Sequence, residues 1–286
     1  MAVCKVCFRH CDLKEGQTGF CGARKCVNGN VTASNYGRIT SLALDPIEKK
    51  PLARFYPGSM ILSVGSYGCN LRCPFCQNSG ISWSAEAFAY AQDAEMLTPE
   101  ELAAAAKRLR NKGNIGIAFT YNEPLIGYEF VRDTAKLVHE AGLVNVLVTN
   151  GTAELCVLDE LLPYIDAMNI DLKGFTDGYY KNVLHGSRTQ VMEFIEKAAA
   201  HCHIELTTLI VPEENDSEGE MRDIAHWISG LMDSTGTVIG RDIPLHISRF
   251  FPRFRMTDRP ATDVSLIYRL ADIARGELRF VYTGNC

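Results

Sequence analysis

From Ser59 onward, six short apolar runs alternate with longer amphipathic segments, and this rhythm limits the fold more than any other feature. The runs are Met60 to Val64, Ile115 to Thr120, Val144 to Thr149, Ala167 to Leu172, His203 to Val211 and Leu245 to Ser248. They are apolar on both faces, as buried parallel strands are. The segments between them predict helices over Pro99 to Lys112, Gly127 to Ala141, Ala153 to Leu162, Thr189 to Ala200, Glu218 to Met232 and Asp263 to Arg275. Thr98 and Glu101 have capping-box spacing at the first of these, and Gly142 suits the end of the second. Strand and helix in strict alternation imply a parallel sheet with right-handed crossovers. Six units are too few to close an eight-fold barrel, so the expected α/β architecture is a partial (β/α)6 TIM-like barrel over residues 59–286. Leu278 to Tyr282 is expected to add an edge strand. Residues 1–37 form a Cys- and Gly-rich segment without clear period. Residues 38–58 are read as a connector whose charges and prolines disfavour long regular elements.

In such folds the chemistry gathers at the C-terminal ends of the strands, and polar motifs follow the runs in order. After the first run come Cys69, Cys73 and Cys76, spaced C-x3-C-x2-C. Thiolates are the usual ligands of iron–sulfur clusters, and four normally close a cubane. Three leave one iron without a protein ligand. The competing readings are three buried structural thiols or a zinc loop, although zinc usually takes four ligands in paired C-x2-C units. Gln77 and Asn78 are read either as hydrogen-bond donors to cluster sulfurs or as a helix cap.

The spacing resembles that of the radical S-adenosylmethionine (radical SAM) superfamily, where SAM chelates the free iron of a [4Fe-4S] cluster. Asp171-Leu172-Lys173 and the His246 strand resemble the glycyl-radical-enzyme activases of the pyruvate formate-lyase activating type. A wider set resembles the radical SAM member of the AmmeMemoRadiSam group: Cys4-x2-Cys7-x3-Cys11, Gly19 to Arg24, Asp45 to Leu52, Tyr56 to Gly58, Cys76 to Asn78 and Thr120 to Pro124. The resemblance implies reductive cleavage of SAM to a 5′-deoxyadenosyl radical, hydrogen abstraction from a substrate, with a protein glycine as the candidate the activase likeness offers, and an electron donor such as flavodoxin or ferredoxin.

It also implies roles for the remaining motifs. Tyr121, Asn122 and Glu123 stand where a Gly-Gly-Glu motif binds the SAM amino group, with Glu123 alternatively a helix-start acid. Asn150, in Thr149 to Thr152, suits a sugar hydroxyl or carboxylate, or else an Asn-Gly turn. Lys173 is expected to meet the SAM carboxylate and Asp171 a hydroxyl or cation, with a mutual ion pair as the rival. His246 is read as touching the nucleoside or as a satisfied core histidine. Ser248 to Arg255, which mixes arginine with aromatic rings, is read as a grip for an anionic or peptide substrate, or as a basic loop with anchored rings.

Cys4, Cys7, Cys11 and Cys21 form a second constellation. Zinc there would be a structural staple, whereas a second iron–sulfur cluster would be an electron relay, and His10 is a substitute ligand. Cys26, Cys156 and Cys202 are read as buried or incidental thiols. An odd total of 11 cysteines in a long chain fits a reducing cytosol better than a disulfide scaffold. No run of about 18 apolar residues predicts a membrane span, and no signal peptide is visible. The net charge of -5 weighs against nucleic acid as a partner. The other readings of the chain are radical modification of a small metabolite or nucleotide, and a non-catalytic electron-transfer protein.

Overall fold

A computed structural model describes residues 1–87 and 94–286. Its main sheet has eight strands paired in chain order. They are β1 (Ser41–Pro46), β2 (Met60–Gly65), β3 (Asn114–Phe119), β4 (Val144–Thr149), β5 (Ala167–Asp171), β6 (His203–Ile210), β7 (Leu245–Arg249) and β8 (Val281–Gly284). Strands β2 to β8 run parallel, and β1 pairs antiparallel with β2 at one edge. The crossover helices are α1 (Pro99–Arg108), α2 (Tyr128–Glu140), α3 (Leu155–Leu161), α4 (Arg188–Ala199), α5 (Glu218–Ser229) and α6 (Val264–Arg275). Each predicted run and helix is present within a few residues of its expected bounds, and β8 is the expected edge strand. Thr98 and Glu101 form the reciprocal capping box, and Gly142 takes the left-handed φ of 66° just past α2. Among the described residues, no helix is long and apolar enough to cross a membrane.

The connector departs from expectation. Ser41–Pro46 is a strand of the main sheet, tolerated there because it is an edge and Pro46 ends it. The following residues turn into the barrel and plug its N-terminal mouth. Ile47 and Leu52 are fully buried against Ile61, Ala118, Val146 and Ala167. These four sit on β2, β3, β4 and β5, on the sheet face opposite the helices. Phe55 packs on the same cluster and lies 5.5 Å from the His203 ring.

Above this apolar floor the interior turns polar. Glu205 of β6 is fully buried and accepts from the Ala53 and Arg54 amides at 2.9 and 2.7 Å. His203 Nε2 and His246 Nε2 donate to it over 3.1 and 2.6 Å. The Pro51 carbonyl accepts from Asn169 at 2.9 Å, and Thr207 donates to Asn169 Oδ1 at 3.0 Å. Burial alone would raise the Glu205 pKa, but the two imidazoles and two amides win and hold it near about 2. Its folded value therefore lies below the ordinary 4.5, so its stabilisation is complete above that pH and is lost as pH falls towards 2. Glu205→Gln should cost on the order of 2–3 kcal/mol at neutral pH and flatten that acid limb, read by denaturation at several pH values.

Residues before β1 form two small hairpins, Ala2–Val3 with Asp12–Leu13 and Arg24–Val27 with Asn30–Ala33. Arg24, 5% exposed, fixes this segment to α2 by holding both Glu129 oxygens at 2.7 Å.

Candidate functional site

The cysteine loop leaves the C-terminal end of β2. Gly65 and Gly68 shape it. A Cβ on Gly65 would stand 2.9 Å from the Tyr121 ring, and Gly68 has a left-handed φ of 94°. Cys69, Cys73 and Cys76 are enclosed, and burial raises all three thiols: Cys73 to about 12, Cys69 well above its usual value, and Cys76 upward. Thiols so buried stay protonated at neutral pH unless a metal draws the proton off. Donors already face them. Leu71 N lies 3.4 Å and Asn150 Nδ2 3.7 Å from Cys69 Sγ, and the Asn78 amide and Ser82 hydroxyl reach Cys76. Such N–H and O–H contacts tune cluster potentials. Among the described residues, no three His, Cys, Asp or Glu side chains are close enough to share a single ion.

The other motifs gather around this loop, with several changes of role. Glu123 is buried, and both of its oxygens are taken. Oε1 accepts from Thr149 Oγ1 and Leu125 N at 2.7 and 3.0 Å, and Oε2 from Asn150 N at 2.8 Å. Burial pushes its pKa up to about 7 against these donors. The Glu123 carboxylate thus caps the short helix Pro124–Gly127, as the helix-start reading expected, and also staples the β3 and β4 loops together. Asn122 is scaffold too. Its amide accepts from Ser66 N at 3.0 Å and donates to the Tyr67 and Gly68 carbonyls at 3.2 Å.

Tyr121 takes the left-handed φ of 71° that a glycine adopts freely, a strain of about 1–2 kcal/mol for an L-residue. Two contacts offset it. Its hydroxyl donates to Asp45 Oδ2 at 2.8 Å, and its ring lies 4.7 Å from Lys50 Nζ. Lys50 is itself buried and ion-paired to Asp45 at 2.9 Å, which together with Tyr121 holds the Asp45 carboxyl well below its usual range against burial. Asn78 turns its side chain to the Tyr121 carbonyl at 2.8 Å, makes no side-chain cap on the helix Ser79–Ser82, and reaches Cys76 through its backbone N–H alone. Gln77 is exposed.

Asp171 and Lys173 form the ion pair that was the rival reading, at 2.8 Å. Burial opposes the ammonium charge, but Asp171 and the Cys73 sulfur hold its pKa above the ordinary value. The pair lies at the open end beside the thiols and keeps a positive charge where Cys73 is. Asn150 donates to both Cys69 Sγ and Asn70 Oδ1, the latter at 3.0 Å. His246 is in register with Thr207, which is in register with Asp171, so all three share one level of the barrel. Its Nε2 is committed to Glu205 and its ring stacks on Tyr282 at 5.2 Å. The core-histidine reading holds for that nitrogen. The Ser248 to Arg255 segment is a wall with anchored rings. Phe250 is buried 6.2 Å from Phe75, and Arg255 donates its amide to the Pro74 carbonyl and covers Trp83 at 4.6 Å.

Residues the sequence reading missed are Asp45, Lys50, Asn169, Glu205 and Thr207. A signal existed for three of them. Asn169 and Asp171 in β5, and Glu205 and Thr207 in β6, place polar groups two residues apart in otherwise apolar strands, hence on one face.

Cys4, Cys7, Cys11 and Cys21 line one enclosed cavity together with Arg9 and Arg24. His10 is not among them, because its Nε2 lies 3.1 Å from Glu154. Cys26 is buried elsewhere, 3.9 Å from Glu15.

Comparison with known proteins agrees with this layout. Residues 63–227 match the family model of the radical SAM superfamily. An uncharacterized protein of Methanocaldococcus jannaschii is 41% identical over 285 residues, spanning 99% of this chain and 80% of that protein. The pyruvate formate-lyase 1-activating enzyme of Escherichia coli K12 is 26% identical over 177 residues, covering 60% of this chain and 68% of the enzyme. A solved domain of pyruvate-formate lyase-activating enzyme from Bacteroides vulgatus matches with a TM-score of 0.50 at 16% identity, over 59% of this chain and 99% of that one. SuiB of Streptococcus suis, solved with S-adenosylmethionine, matches with a TM-score of 0.57 at 11% identity, over 77% of this chain and 48% of that one. At such identities the structural matches speak for the fold alone. The family model covers more than half of the sequence and implies a [4Fe-4S] cluster and SAM, and the buried C-x3-C-x2-C loop at the open end of the barrel fits both: the chain belongs to the radical SAM superfamily.

Proposed function

We propose that Cys69, Cys73 and Cys76 hold a [4Fe-4S] cluster and that SAM binds its fourth iron, facing Asp171 and Lys173. The observation that carries this reading is three thiols, Cys73 buried and Cys69 and Cys76 partly so, gathered on one loop at the C-terminal end of β2 beside Asp171 and Lys173. When bound, the cluster supplies one electron to the SAM sulfonium, and the carbon–sulfur bond breaks to methionine and a 5′-deoxyadenosyl radical that takes hydrogen from the substrate. The chain's own residues do the rest. Leu71 N and Asn150 Nδ2 orient Cys69 and stabilise its charge. Lys173 is the fixed cation for the SAM carboxylate and Asp171 an acceptor for a hydroxyl. The plug of Ile47 and Leu52 keeps water from entering beneath the reacting atoms, which protects a species that would otherwise be quenched.

The acceptor we favour is a glycine in a partner protein, as the relationship to activating enzymes suggests, with flavodoxin or ferredoxin as donor. The wider motif set supports placement in the AmmeMemoRadiSam group. The test is anaerobic reconstitution, reduction by dithionite and quantification of 5′-deoxyadenosine. Production dependent on the loaded cluster is expected. A fully loaded cluster that neither binds nor cleaves SAM would sink the reading. Deuterium transfer from labelled candidate partners into 5′-deoxyadenosine then identifies the acceptor.

A further inference from the structure

Four thiols from the N-terminal segment converge without a part in the chemistry above. Cys4, Cys7 and Cys21 are 4%, 7% and 6% exposed, and Cys11 is half-buried. They surround a small cavity of about 10 Å³ whose wall also includes Arg9 and Arg24. The backbone draws them together. Cys4 N donates to the Cys11 carbonyl at 2.9 Å, and His10 takes a left-handed φ of 39° to close that turn. All four sulfurs line this one space. Zinc would serve structure alone, whereas an iron–sulfur cluster on the same thiolates carries an electron.

The cavity is joined directly to the barrel loop. Cys69 N donates to the Cys21 carbonyl at 3.1 Å. Asn70 reaches the Cys7 sulfur on one side and accepts from Asn150 on the other, and Asn150 also touches Cys69 Sγ. The Phe20 ring is clasped between the Arg9 and Arg72 guanidinia, 3.4 and 3.7 Å from its centroid, and Arg9 and Arg72 donate to the Asn70 and Cys69 carbonyls. Cys11, Phe20 and exposed His10 bring the other side of the cavity to the surface.

We propose that Cys4, Cys7, Cys11 and Cys21 hold a second iron–sulfur cluster that takes one electron from a protein donor at this surface and passes it to the Cys69, Cys73 and Cys76 site. The relay half of this proposal rests on the function proposed above. The transfer balances: the reduced donor loses one electron, each cluster is reduced and reoxidised once, and the electron ends in the broken carbon–sulfur bond of SAM.

The site and the relay are tested separately. The triple variant Cys69→Ala, Cys73→Ala, Cys76→Ala, reconstituted anaerobically, should retain iron and labile sulfide and give a reduced-cluster paramagnetic signal indifferent to SAM. One zinc per chain without sulfide, or a native-like circular dichroism spectrum with no metal, overturns the site. Should that variant misfold, Mössbauer spectra of the wild-type chain decide the same point, with two clusters expected of which one responds to SAM, and one cluster overturning it. The outcome does not depend on whether SAM is cleaved. For the relay, Cys4→Ala with Cys7→Ala should leave dithionite-driven 5′-deoxyadenosine formation intact, while formation driven by reduced flavodoxin falls to the donor-free background. Equal rates with both reductants, or loss with both in a variant that still binds SAM, would overturn the relay.

Discussion

Replacing Cys73 with alanine should bring 5′-deoxyadenosine formation down to background while leaving the chain folded. Cys73 is 8% exposed and packs within the main core beside Leu71 and Phe75. Losing one buried sulfur removes little apolar volume, so the stability cost should stay at about 1–2 kcal/mol, the low end for truncated core side chains. The chemical cost is of another order. Two thiolates cannot fix a cubane against loss or rearrangement, and the open iron needs the other three held. Iron and sulfide at the barrel site, SAM affinity and product formation should therefore disappear together. Retention of activity in an iron-free Cys73→Ala chain would refute the assignment of these cysteines. A melting temperature far below the wild-type value would point to a structural thiol.

Gly68→Ala is expected to cause a large loss of stability from a single added methyl group. Its φ of 94° is one that L-residues avoid, and a Cβ would stand 2.7 Å from the Cys21 carbonyl, 2.9 Å from Ile126 Cδ1 and 3.0 Å from Ala23 Cβ. The carbonyl belongs to the hydrogen bond that joins Cys21 to Cys69, so neither partner can yield without parting the two cysteine loops. Left-handed strain of about 1–2 kcal/mol and overpacking of about 1–3 kcal/mol together predict roughly 2–5 kcal/mol. Chemical denaturation measures this, and iron content should fall at both cysteine sets. A change below about 1 kcal/mol would mean that the junction is softer than its geometry indicates. A normal stability with iron lost from one set alone would separate the two loops.

The β/α rhythm was legible because it is local. A strand apolar on both faces and a helix with one apolar stripe each betray themselves within a dozen residues. Helix ends were legible for the same reason, since Thr98 and Glu101 act on each other directly. The connector was misread because its structure is set by distant partners. Ile47 and Leu52 have no period of their own, and only Ala53 and Arg54 meeting Glu205, about 150 positions away, explain their place. Lys50 is among the charges that weigh against regular structure there, yet it is buried, met by Asp45 and Tyr121 inside the barrel.

The cysteine sets were legible from spacing. The roles of their neighbours were less so, because a motif fixes which residue stands at a strand end but not which way its polar atoms turn. Glu123, Asn122 and His246 stand where expected, and the side chains of Glu123 and Asn122 and the Nε2 of His246 are already engaged by the protein. Tyr121 is the reverse case. Sequence alone suggests a residue ill suited to a glycine position, whereas Asp45 and Lys50 give it contacts that sustain the strained backbone.

The stopper formed by Ile47 and Leu52 imposes an order of events. With that mouth sealed, whatever enters must come past the cysteine end, and the molecule seated deeper must arrive first and leave last. On the proposed cluster SAM would lie nearer the stopper than a protein acceptor, so a bulky acceptor arriving early would lock it out. Steady-state kinetics should accordingly be sequential and ordered with SAM leading; productive binding of the acceptor ahead of SAM would contradict a vessel filled from one side.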